Sequence, residues 1–176
     1  FAKAKQDGVA PILEVALYEY GNDGIAAAEG HVRQVMPLTT DLDKVSENLF
    51  KLTTNGGEEY CGTVIQKAVN GLQWSTEGDD YKAIFIAGNE PFTQGNVNYA
   101  DSCKLSIGKG IMGNTIHCGS EEDGIQGKWK DAALLADGSY MSINANAQVV
   151  SIASPYDDEI VKLSQKMNKT YIPYGK

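Results

Sequence analysis

The sequence lacks the features that mark several classes of protein. No apolar run reaches the roughly 18 residues that a membrane-spanning helix needs. There are three cysteines, Cys61, Cys103 and Cys118, and their spacing forms neither a CxxC zinc motif nor a disulfide framework. We therefore predict no membrane span, and we interpret the cysteines as small, mostly buried apolar side chains.

Positive charge is also scarce. The chain has 15 Lys and Arg against 23 Asp and Glu, which gives a net charge of -8. Nucleic acids and anionic membranes attach to positive surfaces, so we predict neither as a partner. The glycine motif GxGxxG and the spacing of a phosphate-binding loop are absent, although "GKGIMG" contains glycine and lysine.

The length and composition fit a globular domain. The chain has 176 residues, of which 42% are hydrophobic and 22% charged. We predict one domain over residues 1–176, in which 155–176 form a final helix and tail that could lead into a further region. Because Phe1 is not Met and "FAKAKQDG" resembles a helix closing at Gly8, we expect the parent protein to begin upstream.

Strand patterns and helix patterns alternate along the chain. The predicted strands are 12–21, 31–38, 81–88, 111–119, 139–144 and 147–154. The predicted helices are 39–53, 58–74, 98–110, 124–138 and 156–171, the first capped by Thr39 or Thr40. The pattern predicts an α/β fold: a doubly wound three-layer sandwich, mostly parallel, with one antiparallel edge strand.

The apolar segment "YKAIFIAGNEPF" raises the question of function. Tyr81 to Ala87 read as a buried strand, which stops at Gly88 and a polar loop. In open α/β sheets the loops at the carboxyl ends of strands form the binding site. We therefore look for functional residues in this loop and in the loops beside it.

The order of several motifs resembles the von Willebrand factor type A domain. The motifs are "EVALYEYGND", "LTTNGGEEYCGTVIQKAV", "KAIFIAGNEPF" and "GIMGNTIHCG", and the resemblance covers roughly residues 1–145. It is strongest to the bacterial secreted or periplasmic group, which implies a periplasmic or extracellular location. It also implies a doubly wound fold that binds a protein partner through a metal-ion-dependent adhesion site.

The expected metal site is altered in this sequence. The family's Asp-x-Ser-x-Ser loop is absent, Glu58 falls near the slot of a family threonine, and Gly88 replaces an aspartate that ends the fourth strand. Mg²⁺ or another divalent cation prefers oxygen ligands, which this chain could supply from Glu58, Glu59, Asn89 and Glu90. Alternatively, Glu58 and Glu59 lie in the first turn of a helix for dipole reasons, and Asn89–Pro91 is simply a turn.

The resemblance implies a non-enzymatic domain that binds a protein or ligand through these loops. The predicted binding surface comprises Tyr20, Asn22, Asp23, Gly88 and Phe92. The alternative is an α/β hydrolase or small-molecule-binding enzyme that uses the same cleft. An enzyme would need a nucleophile and a base within reach of each other, and the sequence offers no such pair.

The two histidines favour a structural interpretation. His117 falls in a strand pattern, so we expect a hydrogen-bonded core or strand-end histidine rather than a catalytic base. Cys118 follows it directly, but adjacent strand residues point to opposite faces, which is poor geometry for a thiol protease. His31 stands alone in the sequence.

The resemblance also implies that the central first strand precedes residue 1. A sheet cannot leave its middle strand empty without burying unpaired backbone groups. We therefore predict that upstream residues of the parent supply this strand, or that another segment replaces it. A strand-exchanged dimer could provide the replacement, and residues 147–154, "AQVVSIAS", are a candidate segment.

Overall fold

The computed structural model describes residues 11–53 and 55–144, together with residues 162, 163 and 166. The chain divides into two compact units, Phe1–Ala145 and Asn146–Lys176. In the second unit, Lys162, Leu163 and Lys166 are helical and exposed. The prediction of a single domain over residues 1–176 stays a prediction. The predicted segments 147–154 and most of 156–171 lie outside the described residues.

The first two strands form an antiparallel hairpin. β1 spans Val15–Tyr20 and β2 spans Val32–Thr39, with Tyr18 opposite Gln34 and Tyr20 opposite Val32. A short 3₁₀ turn at Ala27–Glu29 lies in the connection. This confirms the predicted antiparallel pairing, which a connection of this length permits.

Three further strands form a parallel sheet. β3 spans Lys82–Gly88, β4 spans Ile111–His117 and β5 spans Tyr140–Ser142, in the order β3-β4-β5. The mixture of helices, this parallel sheet and the separate antiparallel pair confirms the predicted α/β class. The carboxyl ends of β3 and β4 meet at one edge, because Gly88 lies opposite His117.

Between residues 11 and 144, the described chain has five α-helices that connect and cover the strands. They are α1 Leu42–Leu49, α2 Cys61–Gly71, α3 Tyr99–Gly108, α4 Glu121–Gln126 and α5 Trp129–Leu135. The prediction that Thr39 or Thr40 caps α1 is wrong. The carboxylate of Asp41 accepts from the backbone N–H of Lys44, because Asp41 stands immediately before the first helical residue.

The helix predicted over 124–138 is two helices. The chain breaks at Lys128, whose φ of 70° lies in the left-handed region. That conformation ends α4 and sets a new direction for α5. As a result, Trp129 is the first residue of α5 and lies next to the loop at the carboxyl end of β3.

The core lies on one face of the sheets. Buried residues from α2 meet residues from β2, β3 and β4, including Val64, Val69, Val32, Ile86 and Ile111. The prediction that β3 is a buried strand holds for one face only: Ile86 is 4% exposed, but Phe85 is 68% exposed. Side chains alternate along a strand, and only one face of β3 packs into this core.

The two sheets are separate among the described residues. β1 pairs only with β2, and β3 pairs only with β4, within the part of the chain that the structure describes. The hydroxyl of Tyr20 on β1 reaches across and donates to the backbone carbonyl of Ala87 on β3, at 2.7 Å. No described segment fills the position of the predicted missing strand, and which segment does so stays a prediction.

Candidate functional site

The carboxylate of Glu59 is the centre of the carboxyl-edge site. Its Oε2 accepts from the backbone N–H groups of Asn89, at 3.1 Å, and Glu90, at 3.2 Å. The backbone N–H of Glu59 itself donates to Oε1 of Gln94, at 2.7 Å. The segment before α2 and the loop after β3 therefore hold each other in place through this residue.

Two glycines make room for that carboxylate. A Cβ atom on Gly88 would lie 2.1 Å from Glu59 Oε2, 2.7 Å from the Tyr20 hydroxyl and 2.9 Å from the Trp129 ring. Gly21 has a φ of 73°, and a Cβ there would lie 2.8 Å from Glu59 Cγ. An aspartate side chain at position 88 would therefore collide with the Glu59 carboxylate.

Burial dominates the electrostatics of the site. It raises the pKa of Glu59, and the nearby Glu90 adds to this effect. The two backbone hydrogen bonds and the nearby His117 act in the opposite direction and favour the charged form. Burial likewise raises the pKa of Tyr20 well above its ordinary value, with Cys61 and Glu59 adding to the increase. Tyr20 is therefore a neutral hydrogen-bond donor at neutral pH.

The predicted metal ligands are only partly brought together. Glu59, Asn89 and Glu90 share the backbone contacts just described, and Asn89 Nδ2 donates to Glu90 Oε1 at 3.3 Å. Glu58 is exposed, and its carboxylate accepts from the hydroxyl of Tyr60 instead. Among the described residues, no group of three or more His, Cys, Asp or Glu side chains is arranged to hold a metal ion. The four-residue ligand set stays a prediction.

The alternative interpretation of the two glutamates is wrong. Helix α2 begins at Cys61 after Tyr60, and its first turn contains no acidic residue. Glu58 and Glu59 therefore precede the helix. Their position follows from the loop 55–60, not from an interaction with the helix dipole.

The predicted surface residues differ in their roles. Asp23 is exposed, whereas Asn22 is half-buried and internally bonded: its Nδ2 donates to Glu19 Oε1 at 2.6 Å and its Oδ1 accepts from the N–H of Gly24 at 2.8 Å. The assignment of Phe92 to a binding surface is wrong. Phe92 is fully buried, and its ring packs edge-on against Trp129 at 4.8 Å, because the loop folds its apolar side chain inward.

Trp129 anchors the loop from below, a role that the sequence interpretation missed. Its Nε1–H donates to the backbone carbonyl of Glu90 at 2.9 Å. The backbone N–H of Phe92 donates to the carbonyl of Gly127 at 2.8 Å. These two bonds fix the loop after β3 to the junction of α4 and α5. The sequence shows Trp129 only as an aromatic residue in the apolar pattern of a helix. Its position under the loop depends on the interruption of the helix at Lys128, which the pattern does not reveal.

The sequence interpretation also missed an ion pair between a buried glutamate and an exposed arginine. Glu19 is 7% exposed, and its Oε2 accepts from Nε of Arg33 at 2.6 Å. The sequence interpretation did not single out Glu19, although alternation along the strand places it on the same side as Val15 and Leu17. The pair links β1 to β2 and supports the loop that carries Asn22 and Asp23.

His117 at the end of β4 is buried without a partner. It is 3% exposed, and neither ring nitrogen has a hydrogen bond within the described residues. The expected core position at a strand end is confirmed, but the expected hydrogen bond is not present, because the ring is enclosed by the Trp129 ring and lies close to Gly119 and Gly124. Cys118 beside it is exposed, whereas the other two cysteines are buried, and all three are free thiols.

Comparison with known proteins supports the fold. No protein-family model and no curated protein matches the chain. A solved structure of the conserved hypothetical protein BatB from Bacteroides thetaiotaomicron is 14% identical, with a TM-score of 0.59 over 92% of this chain and 82% of that one. The SpRpn10 VWA domain is 20% identical, with a TM-score of 0.56 over 93% of this chain and 75% of that one.

A third similar structure contains a metal. Proximal thread matrix protein 1 from the mussel byssus, with a zinc-occupied MIDAS motif, is 12% identical, with a TM-score of 0.52 over 76% of this chain and 32% of that one. Identities this low establish the fold alone. The described strand order and the three structural likenesses agree with the motif order in the sequence: the chain has a von Willebrand factor type A-like fold.

Proposed function

We propose that this chain is a non-enzymatic domain that binds a protein or ligand through the loops at the carboxyl edge of its sheet. The supporting observation is the position of the Glu59 carboxylate. Gly21 and Gly88 leave space for it, and the backbone N–H groups of Asn89 and Glu90 donate hydrogen bonds to it. A carboxylate fixed in this way is a preorganised acceptor for a charged or polar group of a partner. One structure of similar fold carries zinc at its adhesion motif, which supports a binding role in general.

The proposal includes an altered metal site. Mg²⁺ needs several oxygen ligands in near-octahedral geometry. Here Oε2 of Glu59 already accepts two hydrogen bonds, and Glu58 interacts with Tyr60. We therefore expect Mg²⁺ or a related cation to bind weakly, if the described residues alone supply its ligands.

The non-enzymatic part of the proposal has its own support. A depression of about 380 Å³ beside the site is lined by Asn22, Gly24, Ile25, Arg33, Thr53 and Asn55. None of these side chains is a general base in reach of a nucleophile.

No helix among the described residues is long and apolar enough to cross a membrane. A periplasmic or extracellular location belongs to the same proposal.

A pair of charge variants tests the proposal. Asn89→Arg places a cation on the carboxyl edge, and Asp79→Arg places the same cation on the exposed loop before β3. The wild-type domain and both variants would be immobilised, and captured proteins identified by mass spectrometry. We expect a partner that is retained by Asp79→Arg and lost by Asn89→Arg. A partner captured equally by all three would exclude the carboxyl-edge loops as the binding surface.

A further inference from the structure

Glycine follows asparagine or aspartate at several places in the chain, and such pairs can react internally. Among the described residues, the pairs with asparagine are 55–56 and 70–71, and those with aspartate are 23–24, 123–124 and 137–138. The glycine nitrogen can attack the preceding side-chain carbonyl carbon, because glycine has no Cβ to obstruct the five-membered ring that forms. The attack requires a glycine N–H that is not already bonded, and its completion requires water.

The pair Asn55-Gly56 in the loop 55–60 meets both requirements. Both residues are exposed. The N–H of Gly56 donates no backbone hydrogen bond within the described residues. Nothing lies within 4 Å of the position of a Cβ on Gly56, whose φ of 42° is one that glycine adopts readily. The attacking nitrogen and the side-chain amide are therefore both within reach of water.

The aspartate pairs do not meet the first requirement. Their glycine N–H groups donate to Asn22 Oδ1 at 2.8 Å, to the carbonyl of Ser120 at 3.1 Å and to the carbonyl of Ala133 at 2.9 Å. Each nitrogen would have to give up its hydrogen bond before it could attack. The fold therefore protects all three pairs.

Asn70-Gly71 is the internal control for Asn55-Gly56, because it has the same sequence and Asn70 is also exposed. Gly71, however, is the last residue of helix α2, where a backbone N–H donates to the carbonyl four residues earlier. Asn70 Oδ1 also accepts from Lys109 Nζ at 2.9 Å, which restrains the side chain. The two pairs thus differ in structure and not in sequence.

The reaction at Asn55 balances with water as the only co-reactant. The nitrogen of Gly56 loses its proton and bonds to Cγ of Asn55, while the bond from Cγ to Nδ2 breaks. Nδ2 leaves with that proton as ammonia, and a cyclic imide remains. Water then opens the ring. Attack at Cγ gives aspartate, and attack at the main-chain carbonyl carbon gives isoaspartate, in which the chain passes through Cγ.

We infer that Asn55 is a site of spontaneous deamidation, to which the fold directs the reaction in preference to Asn70. The products are aspartate and isoaspartate at position 55. The reaction requires nothing of the proposed binding function, so either can fail without the other.

Both products would change the loops at the carboxyl edge. Asn55 and Arg33 line the same depression, to which the product adds a negative charge. The N–H of Asp23 donates to the carbonyls of Asn55, at 3.3 Å, and Gly56, at 3.1 Å, and so joins the two loops. Isoaspartate lengthens the main chain by one carbon at this contact, four residues before Glu59.

Incubation of the intact 176-residue chain at neutral pH, followed by peptide mapping with mass spectrometry, tests the inference. Cleavage after lysine separates the two asparagines, because Lys67 lies between them. We expect Asn55 to convert at least about fivefold faster than Asn70, the equivalent of the one hydrogen bond that Gly71 must first break. Asn55→Gln should remove the reaction at this position, because attack would then need a larger ring, and Asn70→Gln should leave it unchanged.

The same incubation in urea isolates the effect of the fold. The two pairs should then react at similar rates, because Gly71 has lost its helical hydrogen bond. Equal rates in the folded protein would overturn the inference. So would an Asn55 that stays intact in the folded protein over the period in which the unfolded protein converts. A preference for Asn55 that is undiminished in urea would also overturn it, since the sequence alone would then set the preference.

Discussion

At the scale of single residues, the site depends on the fit between Glu59 and Gly88. Neither residue alone predicts it. The motif order placed Gly88 in an aspartate slot, but it could not show that the nearest carboxylate comes from a residue 29 positions earlier in the chain. Which of two adjacent glutamates turns inward depends on the loop backbone, which sequence patterns do not specify.

Replacing Gly88 with alanine should disrupt this fit. The added Cβ would lie 2.1 Å from the Glu59 carboxylate, so we expect a loss of about 1–3 kcal/mol in the free energy of unfolding. Urea denaturation would measure it. Gly78→Ala is the matched control, because nothing lies within 4 Å of its Cβ position. Adding Glu59→Ala to Gly88→Ala should recover part of the loss, and a fully additive loss would contradict the proposed clash.

The raised pKa of Glu59 predicts a pH dependence of stability. The folded state holds the proton more tightly than the unfolded state, whose pKa is near the ordinary 4.5. The contribution of Glu59 to stability should therefore be greatest below that value and should decline as the pH rises through the folded-state pKa. Urea denaturation at a series of pH values would compare wild type with Glu59→Gln, which should lack this decline. Parallel curves for the two proteins would refute the assignment.

At the scale of secondary-structure elements, periodicity predicted most of the fold. The helical spacing in α2 was sufficient, because it places the apolar residues of this helix toward the core. The alternation in β1 predicted a strand, but the side chains of β1 that pack against the core are Tyr18 and Tyr20, on the face opposite Val15 and Leu17. The break between α4 and α5 was not predictable in this way. It depends on one lysine in the left-handed region, and the apolar pattern continues across it.

The start of helix α1 offers a test at this scale. Asp41→Ala removes the carboxylate that accepts from the backbone N–H of Lys44, so we expect a loss of about 1 kcal/mol in the free energy of unfolding. Thr40→Ala is the control, because no side-chain hydrogen bond of Thr40 is present in the described structure. Chemical denaturation would measure the free energy of unfolding of both variants. An equal loss in both would contradict the assignment of Asp41 as the residue that caps α1.

At the scale of the whole molecule, the resemblance predicted the architecture but not the exposure of β3. A near-continuous apolar run is typical of a strand covered on both faces. Phe85 is nevertheless exposed. An apolar pattern indicates that a strand is suited to burial, but it does not show whether other described residues cover both of its faces.

The proposed alteration of the metal site predicts how the whole domain responds to cations. A cation present at 100 times its dissociation constant would stabilise the fold by about 2.7 kcal/mol. We expect millimolar Mg²⁺ or Mn²⁺ to leave the melting temperature unchanged, because the described residues contain no cluster of three metal-ligating side chains. Differential scanning calorimetry would measure this. A rise that Glu59→Gln abolishes and Glu58→Gln does not would show that the site still binds metal.

The anchoring of Trp129 has a practical consequence for optical spectroscopy. The protein has two tryptophans, and this one is fully buried, with its indole N–H bonded to the backbone of the loop after β3. In a Trp74→Phe background, its emission spectrum would report on that loop alone. A red shift would show that water has reached the indole, and thus that the loop has lifted away, without any label at the carboxyl edge.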